Sequence, residues 1–189
     1  MVHNDNSVNM AKQTYHHGDL RAALIAAGLR LLAERDAEAL SLREVASSVG
    51  VSATSVYRHF PDKKALMAAL AREGLARFGV IEHEVVQAGG GGRAGLVAAG
   101  RAYIRFALAN PALFRLIFAS SALARKDGEP SEAARLLKAN APSFAGAMPE
   151  GSDEYVFELQ AWAIVHGLAM LMLDGQIPAD EGLVERAIR

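Results

Sequence analysis

SLREVASSVGVSATSVYRHF, residues 41 to 60, holds two short helical patterns joined at a glycine. Ser41 is a hydroxyl residue suited to accept from the free N–H groups of a first helical turn. Glu44, three positions on, completes a capping box. Leu42, Val45, Ala46 and Val49 then recur at helical spacing and form one apolar face that must be buried. Gly50 predicts the exit, because glycine enters the left-handed conformation of a sharp turn without steric cost. Val51 points into the turn, and Ser52 can cap a second short helix that buries Val56. Two helices joined by a turn of three or four residues form a helix-turn-helix, whose second member can lie along base edges in the major groove.

The exposed side of that second helix carries the chemistry. Ser52, Thr54 and Ser55 are short hydroxyls able to approach phosphates or bases, Tyr57 and His59 are longer donors, and Arg43, Arg58, Lys63 and Lys64 supply positive charge. Phosphate contacts of this kind position a protein on a duplex, while hydroxyl and apolar contacts add base preference. Taken alone, the segment also reads as a helical hairpin with a solvated basic face. The flanks argue for a larger unit. Upstream, residues 19 to 35 place Leu20, Leu24, Ala27, Leu31 and Leu32 on one stripe behind a capping Asp19. Downstream, Pro61 and Asp62 open a fourth helix carrying Leu66, Leu70, Leu75 and Phe78, with the proline expected in its first turn.

From about Leu20 to Leu70 the chain resembles the DNA-binding domain of the TetR/AcrR transcriptional regulators, whose hallmark is a helix-turn-helix ending in Tyr-x-x-Phe, a small turn and a lysine. Those positions are Tyr57, Phe60, Pro61, Asp62 and Lys63, preceded by Ala46 and Gly50-Val51-Ser52. The resemblance implies an all-α protein, with a three-helix helix-turn-helix DNA-binding domain at 19–62 behind a flexible arm at 1–18. A connecting helix at 63–88 would lead to a helical bundle for ligand binding and dimerisation at 89–189. It implies operator-phosphate contacts by Tyr57, His59 and Lys63, a phosphate or base contact by Arg43, and base contacts by Ala53 and Thr54 with Ser52 and Ser55 close by. Two residues depart from the family pattern. Ala53 replaces a frequent lysine or polar residue, which leaves an apolar contact such as a thymine methyl. Asp36 stands where a glycine commonly ends the first helix, and aspartate tolerates a left-handed turn better than most residues.

Charge agrees in sign with a nucleic-acid partner. The chain of 189 residues has a formal net charge of −1. Residues 1–80 hold 10 Lys+Arg against 8 Asp+Glu, a balance of +2, and residues 81–189 hold 10 against 13, a balance of −3. Clustering on one face sets the local potential more than the total does. Cysteine is absent, which excludes disulfides and thiolate metal sites. Lys12, Tyr15, His16, His17 and Gly18 end the N-terminal arm. No cysteine or carboxylate cluster completes a ligand set around the paired histidines, so they read as a structural or phosphate-facing arm and no metal or other cofactor is expected. Residues 1–18 are too polar for a signal peptide, and the most apolar window, 161–173, is too short to span a bilayer. These features predict a soluble, cytoplasmic protein with no membrane partner.

Beyond the fourth helix, Gly89 to Gly92 form a flexible connection and not a phosphate loop, since no GxxxxGK[ST] follows. The chain then reads as helix from Gly95 to Leu108, a break at Asn110-Pro111, a short helix at 112–119 and a polar loop at 124–131. A helix from Ser131 to about Phe144 is interrupted by Pro142, and the longest helix runs from Asp153 to Leu173. That last helix is apolar almost all round after Leu159 and must be covered on more than one side. The family resemblance implies a homodimer through the C-terminal helices beginning near Ser131 and Asp153, which would present two recognition helices to a palindromic operator.

Trp162, His166 and Gly167 form Trp-x-x-x-His-Gly, similar to the signature of a Trp-His-Gly subgroup of these regulators. The plain reading is packing with one buried hydrogen bond. The functional one makes His166 the polar anchor of a cavity for a small apolar or amphipathic effector, lined by Tyr103, Phe106, Phe114, Ile117, Phe118, Trp162 and Met170. A repressor released by such an effector is the expectation, with a helical ligand-binding protein lacking specific DNA binding as the alternative. An enzyme on a helical bundle is not expected, because the chain has no catalytic cysteine, HExxH, paired Glu-x-x-His or phosphate loop.

Overall fold

A computed structural model describes residues 20–121, 123–124 and 129–188. The arm at 1–18 and Asp19 lie outside the described residues. The described chain contains nine α-helices: α1 (Leu20–Glu34), α2 (Leu42–Val49), α3 (Ala53–Tyr57), α4 (Lys63–Ala88), α5 (Gly92–Ala109), α6 (Pro111–Ala119), α7 (Glu132–Asn140), α8 (Glu154–Leu173) and α9 (Glu181–Ala187). A 3₁₀ segment, Ala141–Ala147, follows α7.

Helices α1 to α3 close over one apolar cluster. Leu24, Leu40, Val45, Val56, Phe60, Leu66 and Leu70 are all at most 2% exposed. Each such side chain contributes roughly 1.5–3 kcal/mol by leaving water, which explains why helices as short as α2 and α3 persist. The approach of α1 to α4 depends on Gly28, where an added Cβ would lie 2.8 Å from Leu70 Cδ2. A second cluster gathers Leu75, Phe78, Tyr103, Ile104, Phe114, Ile117, Val165, Ala169 and Met172 from α4, α5, α6 and α8. Helix α4 supplies both clusters, and Leu116 of α6 packs against both. The two helical units are thus joined by shared side chains as well as by the chain.

Several boundaries differ from the sequence reading. Pro61 precedes the helix, and Asp62 is the cap of α4, accepting from Ala65 N–H at 2.7 Å. The longest helix is α4 with 26 residues, against 20 in α8, and it runs through Gly74 and Gly79, which pack against Leu113 and Leu136. Asp36 opens the turn after α1, its carbonyl accepting from Ala39 N–H at 3.1 Å. The glycine run is an ordered turn: Gly90, Gly91 and Gly92 take φ of 75°, 73° and 54°, and Ser143 of the 3₁₀ segment packs on Gly91. Three successive left-handed residues need glycine. Pro111 begins α6, and α5 and α6 meet at 107°. The sequence reading places no element beyond Gly175, where the structure has α9, capped by Asp180 with Arg186 in its last turn.

The apolar window at 161–173 is the inner part of a 20-residue helix that is long and apolar enough, at a mean hydropathy of 1.6, to cross a bilayer. Its inward residues Val165, Ala169 and Met172 enter the second cluster. Its opposite stripe, with Val156, Leu159 and Ile164 about half exposed and Leu171 at 44%, is left uncovered by the described residues.

Candidate nucleic-acid interface and effector cavity

The helix-turn-helix is built by local bonds. Ser41 N–H donates to Glu44 Oε2 at 3.0 Å and Glu44 N–H donates to Ser41 Oγ at 3.2 Å, closing the capping box. The bonds from Ser41 hold the Glu44 carboxyl below its ordinary range, with Arg35 adding to the effect. Gly50 leaves α2 with φ 74°, and nothing lies near the position of its absent Cβ, so backbone conformation alone demands glycine there. Ser52 caps α3, and its hydroxyl also lies 3.0 Å from that of Ser55. Val56 is buried beneath the helix.

The predicted DNA-contacting residues lie on α2, on α3 and its cap, in the turn after α3 and at the start of α4, and differ in exposure. Arg43, Ser52 and Thr54 are exposed, Tyr57 is 48% exposed, and Ala53, Ser55, His59 and Lys63 are half-buried. Ser52 and Ser55 spend part of their hydrogen-bonding capacity on each other, which leaves Thr54 and Tyr57 the freest donors of α3. The Lys63 ammonium donates to the Glu38 carbonyl, which steers it over the loop between α1 and α2 with two N–H donors left over. Arg21, absent from the sequence reading, places its guanidinium 5.3 Å from the Phe60 ring centroid and ties α1 to the end of the motif.

The aromatic residues of the second cluster divide into two groups. Tyr103 and Trp162 border a cavity of about 260 Å³. Phe106, Phe114, Ile117, Phe118, His166 and Met170 do not border it. Phe114, Phe118 and His166 stack together instead, with His166 4.7 Å from Phe118 and 5.6 Å from Phe114 between ring centroids. Trp162 Nε1–H donates to the Tyr103 hydroxyl at 3.2 Å, and that hydroxyl is 2.8 Å from His166 Nδ1. Indole only donates, so the Tyr103 oxygen accepts from Trp162 and keeps its own proton, which a neutral His166 with Nδ1 unprotonated can accept. Burial holds the imidazole below its usual range, in agreement. Half-buried His166 is thus tied to Tyr103 and Trp162 by one hydrogen-bond chain, and Tyr103, pushed far up by burial, stays a phenol.

The cavity lies between α5 and α8, with the 3₁₀ segment and Ile188 closing its sides. Most of its lining is apolar or aromatic, including Leu96, Phe144, Met148, Phe157 and Val165. Its polar members are ones that the sequence reading missed: Glu82, Arg93, Glu154, Glu158 and Gln160. Glu82 is 3% exposed, and its Oε2 accepts from Asn140 Nδ2 at 3.1 Å, itself a buried residue. Burial pushes the Glu82 carboxyl up to about 7, and the Asn140 bond opposes the shift. Glu158 Oε1 is closed off with no hydrogen-bond partner among the described residues. Burial raises Glu158 too, with Glu154 adding to the effect and Lys138 opposing it. A signal for both existed. Glu82 occupies the stripe of Leu75, Phe78 and Val86, and Glu158 that of Trp162 and Val165, so each is a carboxylate at a core-facing helical position.

A solvent-facing helix-turn-helix, fused through α4 to a larger helical unit with a half-open cavity, defines a DNA-binding transcription regulator. Residues 24–70 match the family described as bacterial regulatory proteins, tetR family, and residues 96–189 match the tetracyclin repressor-like C-terminal domain. The chain belongs to the TetR family of transcription regulators. Among solved structures it is similar to a protein of unknown function from Rhodococcus sp. RHA1, at 29% identity and a TM-score of 0.74 over 94% of this chain and 93% of that one. A TetR family transcription regulator from Marinobacter aquaeolei VT8 shares the fold at 21% identity and a TM-score of 0.64, covering 90% and 92% of the two chains. The multidrug binding protein EbrR complexed with imidazole also shares it, at 21% identity and a TM-score of 0.60 over 90% and 88%. No curated protein matches the chain.

Proposed function

We propose that this regulator is a homodimeric repressor that binds a palindromic operator and leaves it when a small amphipathic ligand enters the cavity between α5 and α8. The observation that carries the reading is the solvent-facing surface of α3, where Thr54 and Tyr57 are exposed, flanked in the chain by Arg43 on α2 and Lys63 at the start of α4. Ala53, Ser52, Ser55 and His59 complete the DNA-facing set. The uncovered apolar stripe of α8 supports dimerisation through that helix. The α7 helix is partly engaged within the chain, since Leu136 lies against Gly79 of α4 and Arg72 pairs with Glu132 at 3.1 Å. A dimer covers the stripe and explains a helix apolar on two sides in a DNA-binding protein that works in the cytoplasm.

Release requires a ligand that binds more tightly to the conformation whose recognition helices are wrongly spaced. Helix α4 is the natural lever, because it begins at Lys63, contributes to both apolar clusters and brings Glu82 to the cavity. EbrR, by its name a multidrug binder and complexed with imidazole, is a relative in fold that holds a small molecule. A gel-shift titration against DNA flanking the protein's own gene tests the reading. A specific, salt-sensitive shift is expected, and its absence favours a helical ligand-binding protein without operator recognition.

A further inference from the structure

The cavity has an acidic interior in an apolar wall. Glu82 is 3% exposed and has one hydrogen bond, from a neutral amide, with no ion pair among the described residues. Glu158 presents a closed-off oxygen with no partner among them. Around these stand Tyr103, Phe144, Phe157 and Trp162, whose ring faces carry negative quadrupole charge. Arg93, the one cationic side chain of the lining among the described residues, is exposed, as is Glu154, whereas Glu82 lies deep.

A buried carboxyl is costly to ionise, and the cost is offset only by a partner of opposite charge. No described residue supplies one to Glu82. An anionic ligand would meet two carboxyls, and a neutral apolar one would leave Glu82 without a counter-charge and the closed-off Glu158 oxygen without a hydrogen-bond donor, although Lys138 acts on Glu158 from a distance. An organic monocation with an apolar body suits the carboxyls and the aromatic walls together: its charge faces Glu82 and Glu158, away from exposed Arg93, and its methyl or methylene groups meet the rings. We infer that the cavity is selective for small organic monocations, amines or quaternary ammonium compounds, held by Glu82 and Glu158. This rests on reading the cavity as the effector site and names the chemistry of its ligand.

Trp162 is the only tryptophan of the chain and borders the cavity, so its fluorescence reports occupancy directly. The full-length protein is titrated at pH 8 with benzyltrimethylammonium and, separately, with neopentylbenzene, its uncharged isostere. Binding of the cation at least about tenfold tighter than the isostere is expected from the carboxyl and ring contacts. The preference should collapse in Glu82→Gln and weaken in Glu158→Gln, with melting curves checking that both variants are folded. The inference falls if the isostere binds as tightly as the cation, if the preference survives both replacements, or if neither probe perturbs Trp162. A parallel operator-release assay separates the two readings. Cation selectivity without release removes the effector role and leaves the cation site standing, whereas release by the neutral probe alone does the reverse.

Discussion

Replacing Glu82 by glutamine should invert the usual expectation for a mutated buried residue and stabilise the protein, by an amount that grows as pH rises from 4.5 to about 7. The wild-type carboxyl titrates at about 7 in the folded chain against its ordinary 4.5. Between these values the native state holds a proton that the unfolded chain has lost, so this group makes stability fall as pH rises from 4.5 to 7. Below 4.5 both states are protonated and the penalty vanishes; above 7 it is complete, at about 3 kcal/mol. The amide introduced by Glu82→Gln would keep the shape, accept from Asn140 Nδ2 and carry no charge, so the penalty disappears with the carboxyl. The charged or titratable neighbours are Arg93, Glu154 and Glu158 along the cavity, with Tyr103 a neutral phenol. Glu158 adds a slope of the same sign. His166, held low by burial, adds one of opposite sign, since its stability is lost as pH falls below 6.5. Both are common to the two proteins and cancel in the difference. Urea unfolding at fixed protein concentration, from about pH 4 to 9, measures that difference. The curves should meet near pH 4 and separate by up to about 3 kcal/mol above pH 7. Parallel curves, or a variant less stable than wild type at pH 8, would refute the account of Glu82 as a buried carboxyl without a counter-charge.

Other perturbations probe the remaining parts. Tyr57→Ala and Lys63→Ala should each weaken operator binding by roughly 1–3 kcal/mol, and Lys63→Ala should also flatten the salt dependence by about one unit of slope; unchanged affinity and slope in both would remove these contacts. Gly50→Ala should destabilise the DNA-binding unit by about 1 kcal/mol, since φ 74° is left-handed and open space surrounds the site, with Gly50→Asn milder in the same melting assay. Leu159→Lys combined with Ile164→Lys, charging the exposed stripe of α8, should shift the sedimentation coefficient from dimer to monomer and weaken operator binding in parallel. A monomeric wild type would dispose of the assembly outright.

Interactions that close within one helical turn were legible from the chain alone. The capping box joins residues 41 and 44, the left-handed exit is forced at Gly50, and Ser52 caps α3. From these the helix-turn-helix and its exposed side chains follow, because the chemistry of caps and turns depends on neighbours three to five residues away. Periodicity also showed that α8 has more apolar surface than one neighbour can cover. It could not say which aromatics pack and which border space. That depends on contacts such as Tyr103 with His166, 63 positions apart, and Glu82 with Asn140, 58 apart. His166 is the instructive case: the i, i+4 spacing with Trp162 put both on one face, but Tyr103 arrived from α5 to take up its Nδ1, and Phe114 and Phe118 packed against the ring. The reading head was thus legible in the chain, because the forces that build it are local. The tertiary structure alone decided the cavity and its acidic lining, because whether a carboxylate on an apolar stripe meets solvent, a cation or nothing is settled only when distant helices come together.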